Sequence, residues 1–265
     1  MTLKRNLKFI GLLVKMKLVR TMAFRFSFFG AFFADGTLFV IQLLTFAVIY
    51  GQVDTIGDWG RGQMLIFIGT FSMINGLNMV IYFFGVVGIP WKIREGALDL
   101  YITKPGNPLL RLTFEEVNLG SAPLLLLSGG IVAWGVSVEG IQVTPPLLLG
   151  YCGMTLLMTL LYYDMEIILR TIPFFVISAT SIERLEGDML MLNFKIPGII
   201  YKGFFKILFY FALPYGIMAT VPTQVLSNAL TLPGLIHALC VTAVFTSFAL
   251  WFWRFGLKRY KSASS

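Results

Sequence analysis

Six long apolar runs, 26–50, 64–87, 117–136, 147–169, 204–221 and 235–255, alternate along this chain with short polar breaks. A helix of about 20 apolar residues crosses a bilayer core, so each run predicts one transmembrane helix. The pattern therefore predicts an all-α integral membrane protein with six spans, forming one domain over residues 1–265. Ahead of the first run, Lys4, Arg5, Lys8 and Lys15 share one arc of a helical wheel, and Leu3, Leu7, Ile10 and Val14 share another. That division predicts an interfacial amphipathic helix within residues 1–24, the alternative being a basic anchor without regular helix. After the fourth run, Asp164, Glu166 and Arg170 precede a second apolar stretch, 171–179, too short to cross alone. The fourth helix must then project beyond the membrane or break near Pro173. Residues 222–233 carry no charge, which predicts a re-entrant segment over 222–234 between spans five and six.

Composition narrows the class further. With 57% hydrophobic and 13% charged residues, no large soluble domain fits beside the spans. The net charge of +8 reflects basic residues flanking apolar runs, which reads as topology and contact with anionic lipid rather than nucleic-acid binding. If the six runs all cross, 20 of the 21 Lys and Arg residues fall on one side and only Arg61 on the other. The positive-inside rule then puts both termini and the 90–111 break in the cytoplasm. Cys152 and Cys240 stand alone in apolar sequence, which suits core residues better than a metal or redox pair. The basic start lacks a clear small-residue cleavage site, so no removable signal peptide is expected.

Chemistry is scarce. There is no GxxxxGK[ST] loop for phosphate, no HExxH, no CxxC and no GxSxG, and His237 is the single histidine. No catalytic residue, bound cofactor or metal site is expected. Ionisable and polar groups inside the spans are the remaining suspects, because burying them in lipid is costly. Asp35 shares a helix face with Gln42, and Ser72, Asn75, Asn78 and Tyr82 form a polar stripe on the second span. Both sets either line a path for cargo or join helices by hydrogen bonds. Phe209 and Tyr215 are the fifth-span residues placed on the same path. Glu166 and Arg170 stand at i,i+4 and predict a structural ion pair.

The polar break from Pro90 to Arg111 is the most informative segment. A helix over 93–102 would gather Ile93, Ala97, Leu100 and Tyr101 into one apolar stripe, with Glu95 and Asp99 opposite. Lys104-Pro105-Gly106-Asn107-Pro108 would then turn the chain back towards the third span. The run Gly96-Ala97-Leu98-Asp99 through Pro105, Asn107, Pro108 and Leu109 resembles the G-x-L-D-x-x-L-x-x-P-x-N-P-L signature of bacterial type 2 ABC transporter permeases. Ile102 departs from it where the pattern has leucine. Pro197-Gly198-Ile199-Ile200-Tyr201, Leu213-Pro214 and Val221-Pro222 resemble the same family's C-terminal half.

The resemblance implies a permease subunit of an ABC exporter in the bacterial cytoplasmic membrane, working beside a second permease chain, identical or related. Two separate ATPase subunits would bind ATP and Mg. It assigns a coupling helix to the 90–111 segment, with Ile93, Glu95, Gly96, Leu98, Asp99, Tyr101, Lys104, Pro105 and Pro108 in contact with the ATPase. Glu183 and Glu186, in the polar segment 181–188, would make a second contact. Two rivals stand beside it. An ion-coupled secondary transporter would use Asp35 as its carboxylate, but the chain lacks recognisable inverted halves. A lipid-modifying enzyme would need a convergent catalytic set that one histidine and scattered carboxylates do not supply.

Overall fold

The computed structural model describes residues 9–17, 37, 40–41, 43–176 and 180–260, without the side chains of Thr180, Ile182 and Glu183. Most of the first apolar run, including Asp35 and Gln42, lies outside the described residues. So does the interfacial segment except for 9–17, which is helical (α1) and joined to the bundle by an ion pair from Lys17 to Glu116. The end of the first run, 43–49, is also helical (α2).

Twelve more helices follow: α3 (Arg61–Ile81), α4 (Phe83–Val86), α5 (Ile89–Arg94), α6 (Asp99–Ile102), α7 (Pro108–Phe114) and α8 (Ala122–Glu139). The rest are α9 (Pro145–Thr171), α10 (Thr180–Lys195), α11 (Gly203–Ile207), α12 (Tyr215–Met218), α13 (Thr220–Leu226) and α14 (Leu232–Arg259). No β-strand occurs among the described residues, which fits apolar surroundings where backbone groups must be satisfied within their own segment. Proline stands in the first turn of α7, α8, α9 and α14, where its missing N–H costs no intrahelical bond. Four helical segments are long and apolar enough to cross a membrane: Arg61–Ile81, Leu119–Glu139, Pro145–Phe174 and Leu232–Arg259.

Side-chain contacts fix how these helices run. α3 and α8 are antiparallel and close: a Cβ added at Gly69 would fall 2.7 Å from Val132, so glycine permits the approach. α9 runs parallel to α3, with Thr70 and Tyr151 hydroxyls 2.9 Å apart and the Tyr82 hydroxyl donating to the Thr159 carbonyl at 3.2 Å. α14 runs parallel to α9, Thr246 donating to Asp164 at 2.5 Å. The bundle thus has an Arg61 end, with loop 51–60 and the starts of α9 and α14, and an island end, with residues 87–121 and the finish of α9 and α14.

The expected fourth span breaks rather than projects. α9 stops at Thr171 and a 3-10 turn, Ile172–Phe174, carries Pro173. The expected fifth span, 204–221, is not one helix. Gly203–Ala212 and Tyr215–Leu226 are bent by 79° at Leu213-Pro214, after a π-helical stretch Leu208–Ala212. Both ends of this bent pair lie at the Arg61 end: Ile199 packs in a cluster with Tyr50 and Trp59, and Leu226 with Tyr151 and Ile66. Its elbow reaches inward to Tyr215, which packs with Tyr162. The unit is a bent helix pair, Gly203–Ala212 with Tyr215–Leu226, whose second arm overlaps the start of the expected 222–234 segment.

α10 carries the chain from one end to the other. Glu186 meets Arg170 near the island end, Phe194 lies 4.6 Å from the Phe71 ring, and Ile199 reaches Gly57. Its mixed polarity hid this from a hydropathy reading. Lys202 and Lys206 accordingly belong to the Arg61 end, not with the other basic residues.

Candidate functional site

The island folds as a corner, not as one helix over 93–102. α5 ends at Arg94, Gly96 turns the chain with φ +70, and α6 starts at Asp99. That left-handed backbone suits glycine and breaks the helical register, so Glu95 and Asp99 do not share an i,i+4 face. The Leu98 N–H closes the corner onto the Lys92 carbonyl at 3.0 Å. Asn107 then caps α7, accepting from the Leu109 N–H at 2.9 Å, with Pro108 as the first helical residue.

The corner has an inner and an outer side. Ile93 and Leu98 are buried against Leu109, Leu112, Ile167 and Trp253, which ties the corner to the ends of α9 and α14. Trp91 and Leu100 point out, 56% and 62% exposed, with Ile102 also exposed. Leu100 therefore leaves the expected apolar stripe and Leu98 takes its inward place. Glu95, Lys104 and Pro105 are exposed; Asp99 and Pro108 are half-buried. Tyr101 lies between two cations, Lys92 at 5.7 Å and Arg111 at 4.9 Å from its ring centroid. Burial, reinforced by the Glu115 carboxylate, pushes its hydroxyl up to about 12. Burial and the nearby Asp99 carboxylate likewise raise Tyr260, at the end of α14. A cavity of about 230 Å³ separates Phe9 of α1 from Tyr101, Lys104, Asn107 and Arg111.

The second expected contact is placed differently. Glu186 turns inward and meets the Arg170 guanidinium at 3.1 Å, which also holds Glu166 at 3.1 Å as the i,i+4 spacing predicted. These three side chains are 2–6% exposed, so Glu186 is part of an internal ion triad joining α9 to α10 rather than of the surface. Glu183 lies on α10 with its side chain outside the described residues.

The intramembrane suspects sit mainly in packed interiors. Ser72, Asn78 and Tyr82 are buried between helices and Asn75 is half-buried. The Tyr82 hydroxyl is spent on α9, while Ser72 Oγ and Asn78 Oδ1 have no partner among the described residues. The Phe209 ring lies 4.7 Å from that of Tyr201, tilted by 30°, and Tyr215 belongs to the core beside Met158 and Met218. Neither described cavity is lined by any of these residues. Two features escaped the sequence: the Arg170–Glu186 contact, which spans 16 positions, and the Thr246–Asp164 bond. A carboxylate deep in an apolar run signals that a partner exists, but a threonine in another apolar run gives no sign of being that partner. No cluster of three His, Cys, Asp or Glu suited to a metal occurs among the described residues.

Long apolar helices in a strand-free bundle, with polar segments gathered at its two ends, define a multi-pass helical membrane protein. Residues 37–264 match the model of the ABC-2 family transporter proteins, so the chain belongs to that family and is the membrane permease of an ABC transporter. No curated protein matches the chain.

Proposed function

We propose that the chain is the permease of an ABC exporter in a bacterial inner membrane, driven by two separate ATPase subunits that carry ATP and Mg. It has six spans: the first run, α3, α8, α9, α10 and α14, with both termini and the island in the cytoplasm. A second permease chain, identical or related, completes the pathway. The observation that carries the reading is the corner at 89–102, which presents Trp91, Leu100 and Ile102 outwards while Ile93 and Leu98 grip the ends of α9 and α14. Exposed apolar residues rimmed by Glu95 and Lys104 fit a protein partner. Closure of the ATPase pair would push the corner, and its buried side would pass the displacement to α9, α14 and, through the Arg170 triad, to α10.

The test is a purified complex of this chain with the ATPase encoded beside it. Charge reversal at Glu95 and Asp99 should lower cargo-stimulated ATP hydrolysis while assembly persists. Unchanged stimulation in an assembled complex would sink the docking role.

A further inference from the structure

A second cavity, of about 400 Å³, lies at the Arg61 end between α2, the start of α3 and the end of α8. This volume is within the range of small-molecule sites. Phe46, Tyr50 and Met64 form its buried wall, and the exposed Trp134 and Val138 form its rim. Arg61 stands at its polar end and is itself exposed. One guanidinium nitrogen donates to the Tyr50 carbonyl at 2.6 Å, which aims the group without neutralising it. No carboxylate lies within ion-pair distance of Arg61 among the described residues. Glu139 is close by, a carboxylate oxygen lying 2.4 Å from where a Cβ on the adjacent Gly62 would sit.

We infer that this groove binds a zwitterionic phospholipid of the leaflet on the Arg61 side, phosphate on Arg61, ammonium towards Glu139 and one acyl chain along the apolar wall. Three features select that occupant. The cavity begins where α3 leaves the polar loop 51–60, which is headgroup depth. Its lining is apolar and aromatic below that level, where a soluble anion would gain nothing. Its two flanking charges are of opposite sign and unpaired with each other, matching a headgroup that carries both. Asp54 and Asp58 in the neighbouring loop disfavour a lipid of net negative charge. The site stands whichever way the chain is inserted and whatever the cargo is.

The experiment uses the whole permease–ATPase complex in nanodiscs containing phosphatidylethanolamine with a photoreactive group on its acyl chain. Peptide mapping should find labelling concentrated on segments 43–51, 61–68 and 134–138. Arg61→Gln should reduce that labelling about tenfold, the loss of one charge-assisted contact, and Arg61→Lys should retain most of it. Ala47→Trp should block it by filling the groove, while size-exclusion profiles stay unchanged. Glu139→Gln should erase the preference over phosphatidylglycerol. Labelling spread evenly over the bundle, or unaltered by Arg61→Gln, overturns the site. Displacement by free phosphate or glycerophosphoethanolamine shows an anion site and overturns the lipid. A wild-type preference for phosphatidylglycerol overturns the headgroup assignment.

Discussion

Replacing Arg170 by Gln should damage this protein more than replacing either of its acidic partners. The triad holds two carboxylates and one guanidinium, all 2–6% exposed, with both N–O separations at 3.1 Å. Its formal charge is −1, so Glu186→Gln leaves a neutral Glu166–Arg170 pair, whereas Arg170→Gln leaves two buried carboxylates facing each other. Removing one partner of a buried ion pair costs about 3–5 kcal/mol, and Arg170 is the partner that both carboxylates share. Losing one of two acceptors around a charge that keeps the other should cost about 1–2 kcal/mol, near the value of a charged hydrogen bond. The assay is thermal unfolding of the purified chain followed by tryptophan fluorescence, with the double variant Arg170→Gln/Glu186→Gln closing a mutant cycle. The double variant should recover part of the loss, because one stranded carboxylate is gone. Glu186→Gln proving as harmful as Arg170→Gln, or a cycle with no coupling, would refute the triad as the joint between α9 and α10.

Other substitutions probe the corner and the bundle separately. Leu100→Asp, on the outer side, should leave thermal stability within about 0.5 kcal/mol but abolish stimulation of the ATPase in reconstituted vesicles. Gly96→Val should cost about 1–2 kcal/mol through its φ of +70 and weaken ATPase retention on an affinity column. Tyr82→Phe should cost about 1 kcal/mol by removing the bond to the Thr159 carbonyl, read as a lowered melting midpoint. Asn78→Leu tests the polar stripe: changed cargo preference with intact assembly favours a path, and loss of assembly favours packing.

Much of the bundle was legible because α3, α8, α9 and α14 are long, apolar and bounded by proline or glycine. α10 was not, since Arg184, Glu186 and Asp188 make it look like a surface loop, and only its contact with Arg170 shows where those charges go. Conversely, 204–221 read as a span because it is apolar, yet it bends at Leu213-Pro214, so that both ends stay at the Arg61 end while Tyr215 reaches the middle of the bundle. Hydropathy reports what an element can be buried in, not which way it runs. The island's role was suggested by its motif, but its shape depended on Gly96 adopting a left-handed turn, which exchanged Leu98 and Leu100 between the inner and outer sides.

The most direct measurement is site-specific crosslinking in the assembled complex. With Cys152 and Cys240 replaced by Ala, a maleimide–diazirine reagent attached at Leu100→Cys should, on illumination, join the permease to the ATPase chain, and the same reagent at Asp54→Cys, at the opposite end of the bundle, should leave the two chains unlinked. Capture of the ATPase from position 54 and not from 100, or from neither, would contradict the assignment of the 89–102 corner as the surface on which the motor acts.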